Sequence, residues 1–104
     1  NKVLAKQITS GLKSIKNISN IIIAYEPVWS IGTGLIPKPN DLSNSISFIK
    51  SKFRKKTPKV LYGGSVNNKN ITEIKDINVI DGFLIGGASQ SSKKFIDIIK
   101  KTFN

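Results

Sequence analysis

Three short apolar runs, Ile21-Ile22-Ile23-Ala24-Tyr25, Val60-Leu61-Tyr62 and Phe83-Leu84-Ile85, alternate with stretches of helical period, and this alternation constrains the fold more than any other feature. Short unbroken runs with β-branched residues suit strands buried on both faces, which is the signature of a parallel sheet. Residues 1–16 place Val3, Leu4, Ile8, Leu12 and Ile15 on one helical stripe, ended by the polar stretch Asn17 to Asn20. Residues 27–39, rich in Gly and Pro, read as a long loop. Leu42, Ile46, Ile49 and Phe53 then define a second helix that Asn40 or Asp41 can cap. Asn70 and Glu73 have the spacing of a capping box that opens a short helix. Ser91 or Ser92 can cap a last helix presenting Phe95, Ile98, Ile99 and Phe103. The order αβαβαβα places the chain in the α/β class, with parallel strands joined by right-handed helical crossovers.

Three parallel strands alone leave two apolar edges and an uncovered face, a poor arrangement for a soluble monomer. Further strands are therefore expected upstream. The chain contains no Met and opens inside a helical stretch, which fits a piece cut from a longer polypeptide. Residues 1–104 show no repeat, no low-complexity tract and no linker, so they read as one partial unit without a second domain.

Composition removes several classes of chemistry. The chain has neither Cys nor His, so disulfides, thiolate ligands and the commonest neutral-pH acid/base group are all missing, and no metal site or cofactor is expected. No apolar run approaches the roughly 18–20 residues of a membrane span, and no secretory signal opens the chain, so a membrane role is not expected. The net charge of +11 raises nucleic-acid binding. Its distribution argues against that partner, because Arg54 is the one arginine and most lysines lie opposite the apolar helical positions. The dense run from Lys50 to Lys59 sits at a helix end, where the helix dipole favours cations.

In parallel α/β proteins ligands bind at the carboxyl ends of the strands. Here those ends carry Glu26, Gly63-Gly64-Ser65 and Gly86-Gly87 on one rim. Paired glycines let backbone N–H groups approach phosphate oxygens, although a Gly-Gly after a strand is as often a plain turn. Two such pairs on one rim favour phosphate. Glu26 is one of two glutamates; it is either a strand-end carboxylate paired to a lysine or a catalytic base. Pro27 restricts Glu26 to extended backbone and fixes where its side chain starts.

Three segments then carry a family likeness. Ala24-Tyr25-Glu26-Pro27-Val28-Trp29-Ser30-Ile31-Gly32-Thr33-Gly34 resembles the triosephosphate isomerase signature around strand six and its mobile lid. Tyr62-Gly63-Gly64-Ser65-Val66 resembles the strand-seven loop, and Asp81-Gly82-Phe83-Leu84-Ile85-Gly86-Gly87-Ala88-Ser89 the strand-eight loop. The likeness implies the carboxy-terminal part of a TIM (β/α)8 barrel, about three βα units and a preceding helix. It implies an aldose–ketose isomerase of glycolysis and gluconeogenesis, cytoplasmic and homodimeric as a full-length protein, whose small-molecule substrate is a triose phosphate.

By the same resemblance Glu26 is the base that moves a proton between the two carbons of dihydroxyacetone phosphate, giving glyceraldehyde 3-phosphate through an enediolate. Phosphate is held by the N–H of Gly32, by Ser65 and by the N–H groups of Gly86 and Gly87. Residues 27–37 form a lid of the kind this family is known for, with Pro27 and Val28 as part of the lid and its support and Trp29 at its first hinge. Ile31 and Leu84 bracket the carboxylate, with core packing the plainer alternative for each and nearly as good for Leu84, whereas the glycines around Trp29 weigh against a plain core role for it. The second hinge, Leu35-Ile36-Pro37, departs from the family. Pro37 lacks the N–H that in many relatives donates to the hydroxyl oxygen of the tyrosine matching Tyr62, so a differently latched lid is expected. The family's electrophilic histidine and strand-one lysine match nothing here, and the chain alone is expected to be inactive. Two alternatives remain: another phosphate-binding barrel enzyme, or a non-catalytic phosphate-binding module.

Overall fold

The computed structural model describes residues 2–15, 17, 20–30, 32–54 and 56–103, without the Trp29 side chain. Among them the elements run α1 (Lys2–Gly11), β1 (Ile22–Tyr25), α2 (Pro39–Ser51), β2 (Lys59–Tyr62), α3 (Ile71–Ile74), β3 (Gly82–Phe83) and α4 (Ser92–Thr102). The strands form one parallel sheet in chain order. Ile22 faces Lys59, Tyr25 faces Tyr62, and Tyr62 in turn faces Phe83. The expected αβαβαβα order is thus observed.

The core lies where α2, α3 and α4 cover β2. Leu42, Ile46 and Ile49 of α2 meet Val60 and Tyr62 of β2, with Val66, Ile71, Ile74 and Ile98 completing the cluster. Removing each of these apolar side chains from water contributes roughly 1.5–3 kcal/mol. β2, flanked on both sides, is the buried strand. β1 is an edge, so Ile22 stays 64% exposed and Ala24 is exposed, while Ile23 and Tyr25 are half-buried. Burial on both faces, expected from the unbroken run, is therefore not reached at β1. The same lack of cover leaves α1 with no buried residue and bares Phe95, Ile96 and Ile99 of α4 and Phe103 just after it.

Several boundaries differ from expectation. α1 ends at Gly11, short of residue 16, because glycine is the poorest helix former after proline. α2 begins at Pro39 with Lys38 as N-cap, so neither Asn40 nor Asp41 caps it; Pro39 supplies a pre-set φ and needs no partner for an N–H. Phe53 follows the end of α2, yet still packs against the core. The loop after β1 contains a 3₁₀ turn, Val28–Ser30. No capping box forms at α3: Asn70 has helical φ/ψ and its side chain is committed to the preceding loop. At α4 Ser91 is the N-cap, its hydroxyl accepting from the Lys94 N–H.

Candidate active site

The register sets the site. Pairing continues one residue beyond the strands, with Gly63 N–H donating to the Tyr25 carbonyl at 2.9 Å and Leu84 N–H to the Tyr62 carbonyl at 3.0 Å. Glu26, Gly63 and Leu84 consequently leave the sheet at one level. Pro27 is buried, and it anchors the backbone from which the exposed Glu26 side chain rises. That side chain lies over Gly63: a β-carbon there would come within 2.7 Å of Glu26 Cγ and Oε1. The first glycine of the pair thus makes room for the carboxylate, a role distinct from cradling an anion. Leu84 is 46% exposed, so it offers Glu26 at most an open wall. Ile31, its expected partner in that bracket, lies outside the described residues, as does the Trp29 side chain.

Ser30, Thr33 and Gly34 are tied down onto the loop after β2. The Ser65 hydroxyl accepts from the N–H groups of Thr33 and Gly34, both at 3.0 Å, and donates to the Ser30 carbonyl. Thr33 Oγ1 also donates to that carbonyl, at 3.0 Å, and accepts from Leu35 N–H at 3.1 Å. Gly32 and Gly34 have φ of 70° and 76°, left-handed values that glycine adopts without strain. Tyr62, fully buried, donates from its hydroxyl to Ser30 Oγ at 3.4 Å. Burial pushes the Tyr62 hydroxyl above its ordinary pKa, only partly offset by the Ser30 bond, so it remains a proton donor. Its partner is therefore Ser30 near the first hinge, and Pro37 at the second is not involved.

Ser65 is held from below. Asn67 Oδ1 accepts from the N–H groups of Lys69 and Asn70, and Asn70 returns bonds to Asn67 N–H and to the Ser65 carbonyl. The Ser65 hydroxyl is thus fully engaged by Ser30, Thr33 and Gly34. Gly86 and Gly87 open the 3₁₀ turn Gly87–Gln90 beyond β3, exposed and with open space where a β-carbon would stand. Among the described residues no hydrogen bond uses the N–H of Gly32, Ser65, Gly86 or Gly87. The four sequence-selected anion donors thus share an unused backbone group. Among the described residues no three His, Cys, Asp or Glu side chains gather as a metal site.

A sequence model of the triosephosphate isomerase family matches residues 1–102. The chain belongs to the triosephosphate isomerase family. It is 44% identical over 105 residues to triosephosphate isomerase of Candida albicans, covering 94% of this chain and 42% of that protein. The protein of the same name from Zygosaccharomyces bailii is 45% identical with the same coverage. That of Mycoplasma mobile is 44% identical over 99 residues, covering 95% of the chain and 40% of the relative. The chain therefore spans about two-fifths of the length of these triosephosphate isomerases.

Against the triosephosphate isomerase likeness, Ser30 is the residue that sequence reading missed. It is fully buried, and its hydroxyl and carbonyl take part in four side-chain hydrogen bonds. The available signal was a small polar residue set between apolar neighbours at the start of a Gly-rich loop. Asn70 stands at the N-cap position of α3, as its spacing predicts, but its side chain holds the Ser65 loop rather than closing a capping box.

Proposed function

We infer that the polypeptide containing residues 1–104 interconverts dihydroxyacetone phosphate and D-glyceraldehyde 3-phosphate. The observation that carries this reading is Glu26 seated over Gly63 on the strand-end rim, in a chain whose residues 1–102 match the isomerase family. The residues belong to strands six to eight of a (β/α)8 barrel, as one partial unit rather than a separate domain.

Glu26 takes a proton from the carbon beside the carbonyl, and the electrons of the C–H bond form the enediolate double bond. The carbonyl π electrons move onto its oxygen as that double bond forms; the same carboxyl then returns the proton to the neighbouring carbon while the hydroxyl proton passes from one oxygen to the other, so the isomerisation balances. The N–H groups of Gly32, Ser65, Gly86 and Gly87 hold the phosphate, an arrangement supported by their lack of other partners and by the anion-binding character of backbone N–H groups. The lid, with Trp29 at its first hinge and Pro27 and Val28 as part of it and its support, excludes water and keeps the enediolate from expelling phosphate. Ile31 and Leu84 wall the carboxylate once the barrel is complete.

The reaction belongs to glycolysis and gluconeogenesis, with no cofactor, in a cytoplasmic homodimer. Neither nucleic acid nor membrane is a partner in this reading. Without histidine, residues 1–104 cannot polarise the substrate carbonyl as the family does, so the isolated chain is inactive. An assay of the isolated chain tests this: turnover indistinguishable from a Glu26→Gln control is expected, and turnover well above that control would refute it.

A further inference from the structure

The geometry points to Ser30 as the residue that latches the lid, a positioning residue whose side chain joins the first hinge to the buried Tyr62 while its carbonyl receives Ser65. This rests on the isomerase reading above and adds to it a role for a residue outside the reacting groups.

Ser30 is fully buried, one of two buried polar residues among those described. A buried hydroxyl without partners is costly, so its bonds define its place. Ser30 Oγ donates to the Pro27 carbonyl at 2.9 Å, and Ser30 N–H donates to the same carbonyl at 2.9 Å. Pro27 directly follows Glu26, so this doubled bond shapes the backbone that carries the base. The free side of Ser30 Oγ accepts the Tyr62 hydroxyl, and the Ser30 carbonyl receives both Ser65 Oγ and Thr33 Oγ1.

Gly64 is built around this pair. A β-carbon at Gly64 would collide with the Tyr62 hydroxyl and stand 2.5 Å from Ser30 Oγ. The sequence thus keeps space open for a hydroxyl-to-hydroxyl contact between sheet and lid. At the other end of the lid Pro37 has no N–H to donate to the Tyr62 oxygen, and the Tyr62 hydroxyl donates instead to Ser30 Oγ near the first hinge. One side chain consequently reports lid position to the backbone of the base.

The test uses the complete polypeptide that carries residues 1–104, with dihydroxyacetone phosphate as substrate. Ser30→Ala, Tyr62→Phe and the double variant are compared for kcat, KM and inorganic phosphate released per isomerisation. Ser30→Ala strands the Tyr62 hydroxyl, whereas the double variant removes both partners together and retains a foldable apolar contact. Each variant should lose about threefold to tenfold in kcat with little change in KM, and release several-fold more phosphate. The double variant should match the singles within about twofold, because both remove one contact. A double variant with wild-type kcat and phosphate release, or single effects that multiply, would overturn the latch. Failure of the isomerase reading looks different: a wild type without turnover, or a Glu26→Gln variant as active as wild type, overturns both.

Discussion

At the residue scale, the site turns on what stands next to Glu26. Gly63 lies directly beneath its carboxylate, so Gly63→Ala must push the side chain aside by a sizeable fraction of a bond length or more. A misplacement of that order costs catalysis far more than stability, and the variant should lose about tenfold to a hundredfold in kcat. Steady-state kinetics together with a thermal melt check this; an unchanged kcat would mean the carboxylate has slack. Glu26, Ser65 and the glycines were legible because their types and order recur on one rim. The roles of Ser30 and Asn70 were not, since both depend on contacts with residues distant in the chain or on side-chain direction, which period and spacing do not carry.

At the element scale, the opposite end of the sheet is held by Asp81, just before β3. Its carboxylate accepts from Val60 N–H at 2.8 Å and pairs with Lys50 Nζ of α2 at 2.9 Å. Burial alone would raise this carboxyl, but the Val60 bond and the Lys50 pairing outweigh it and bring it below its ordinary value. A carboxyl lowered in the folded state stabilises above its unfolded pKa and loses that contribution as pH falls through the folded value. Asp81→Asn should therefore cost about 1 kcal/mol at neutral pH, with the difference from wild type closing below about pH 4. Urea melts of the complete polypeptide across that range decide it, and a difference independent of pH would exclude the carboxylate as its source. In the core, Ile46→Ala removes a fully buried side chain of α2 and should cost about 2–5 kcal/mol by the same melts.

The elements themselves were largely readable. β2 and α2 follow their apolar pattern because both are covered by neighbours. α1, β1 and α4 carry the same kind of pattern without the cover, so the period of their sequence predicts burial that these residues alone do not provide. Helix caps were partly readable: Asn70 and Ser91 stand at the starts of α3 and α4, whereas Pro39 displaced the polar caps of α2 and the Asn70 side chain turned to the preceding loop.

At the scale of the whole molecule, uncovered apolar surface lies on α4 and beside β1. A groove of about 710 Å³ opens between α1 and β1, lined by residues that include Leu4, Ile8, Ile23 and Tyr25 and reaching Glu26. A peptide of residues 1–104 should accordingly bind an apolar dye and self-associate, visible as scattering that rises with concentration. A monodisperse monomer without dye binding would show that the chain covers these surfaces itself. The decisive measurement is the isomerisation rate of the complete polypeptide with Glu26 intact and with Glu26→Gln. The account predicts a fall in kcat of about a hundredfold to ten-thousandfold with the fold unchanged. A Glu26→Gln protein that isomerises triose phosphate within a few-fold of wild type would contradict it.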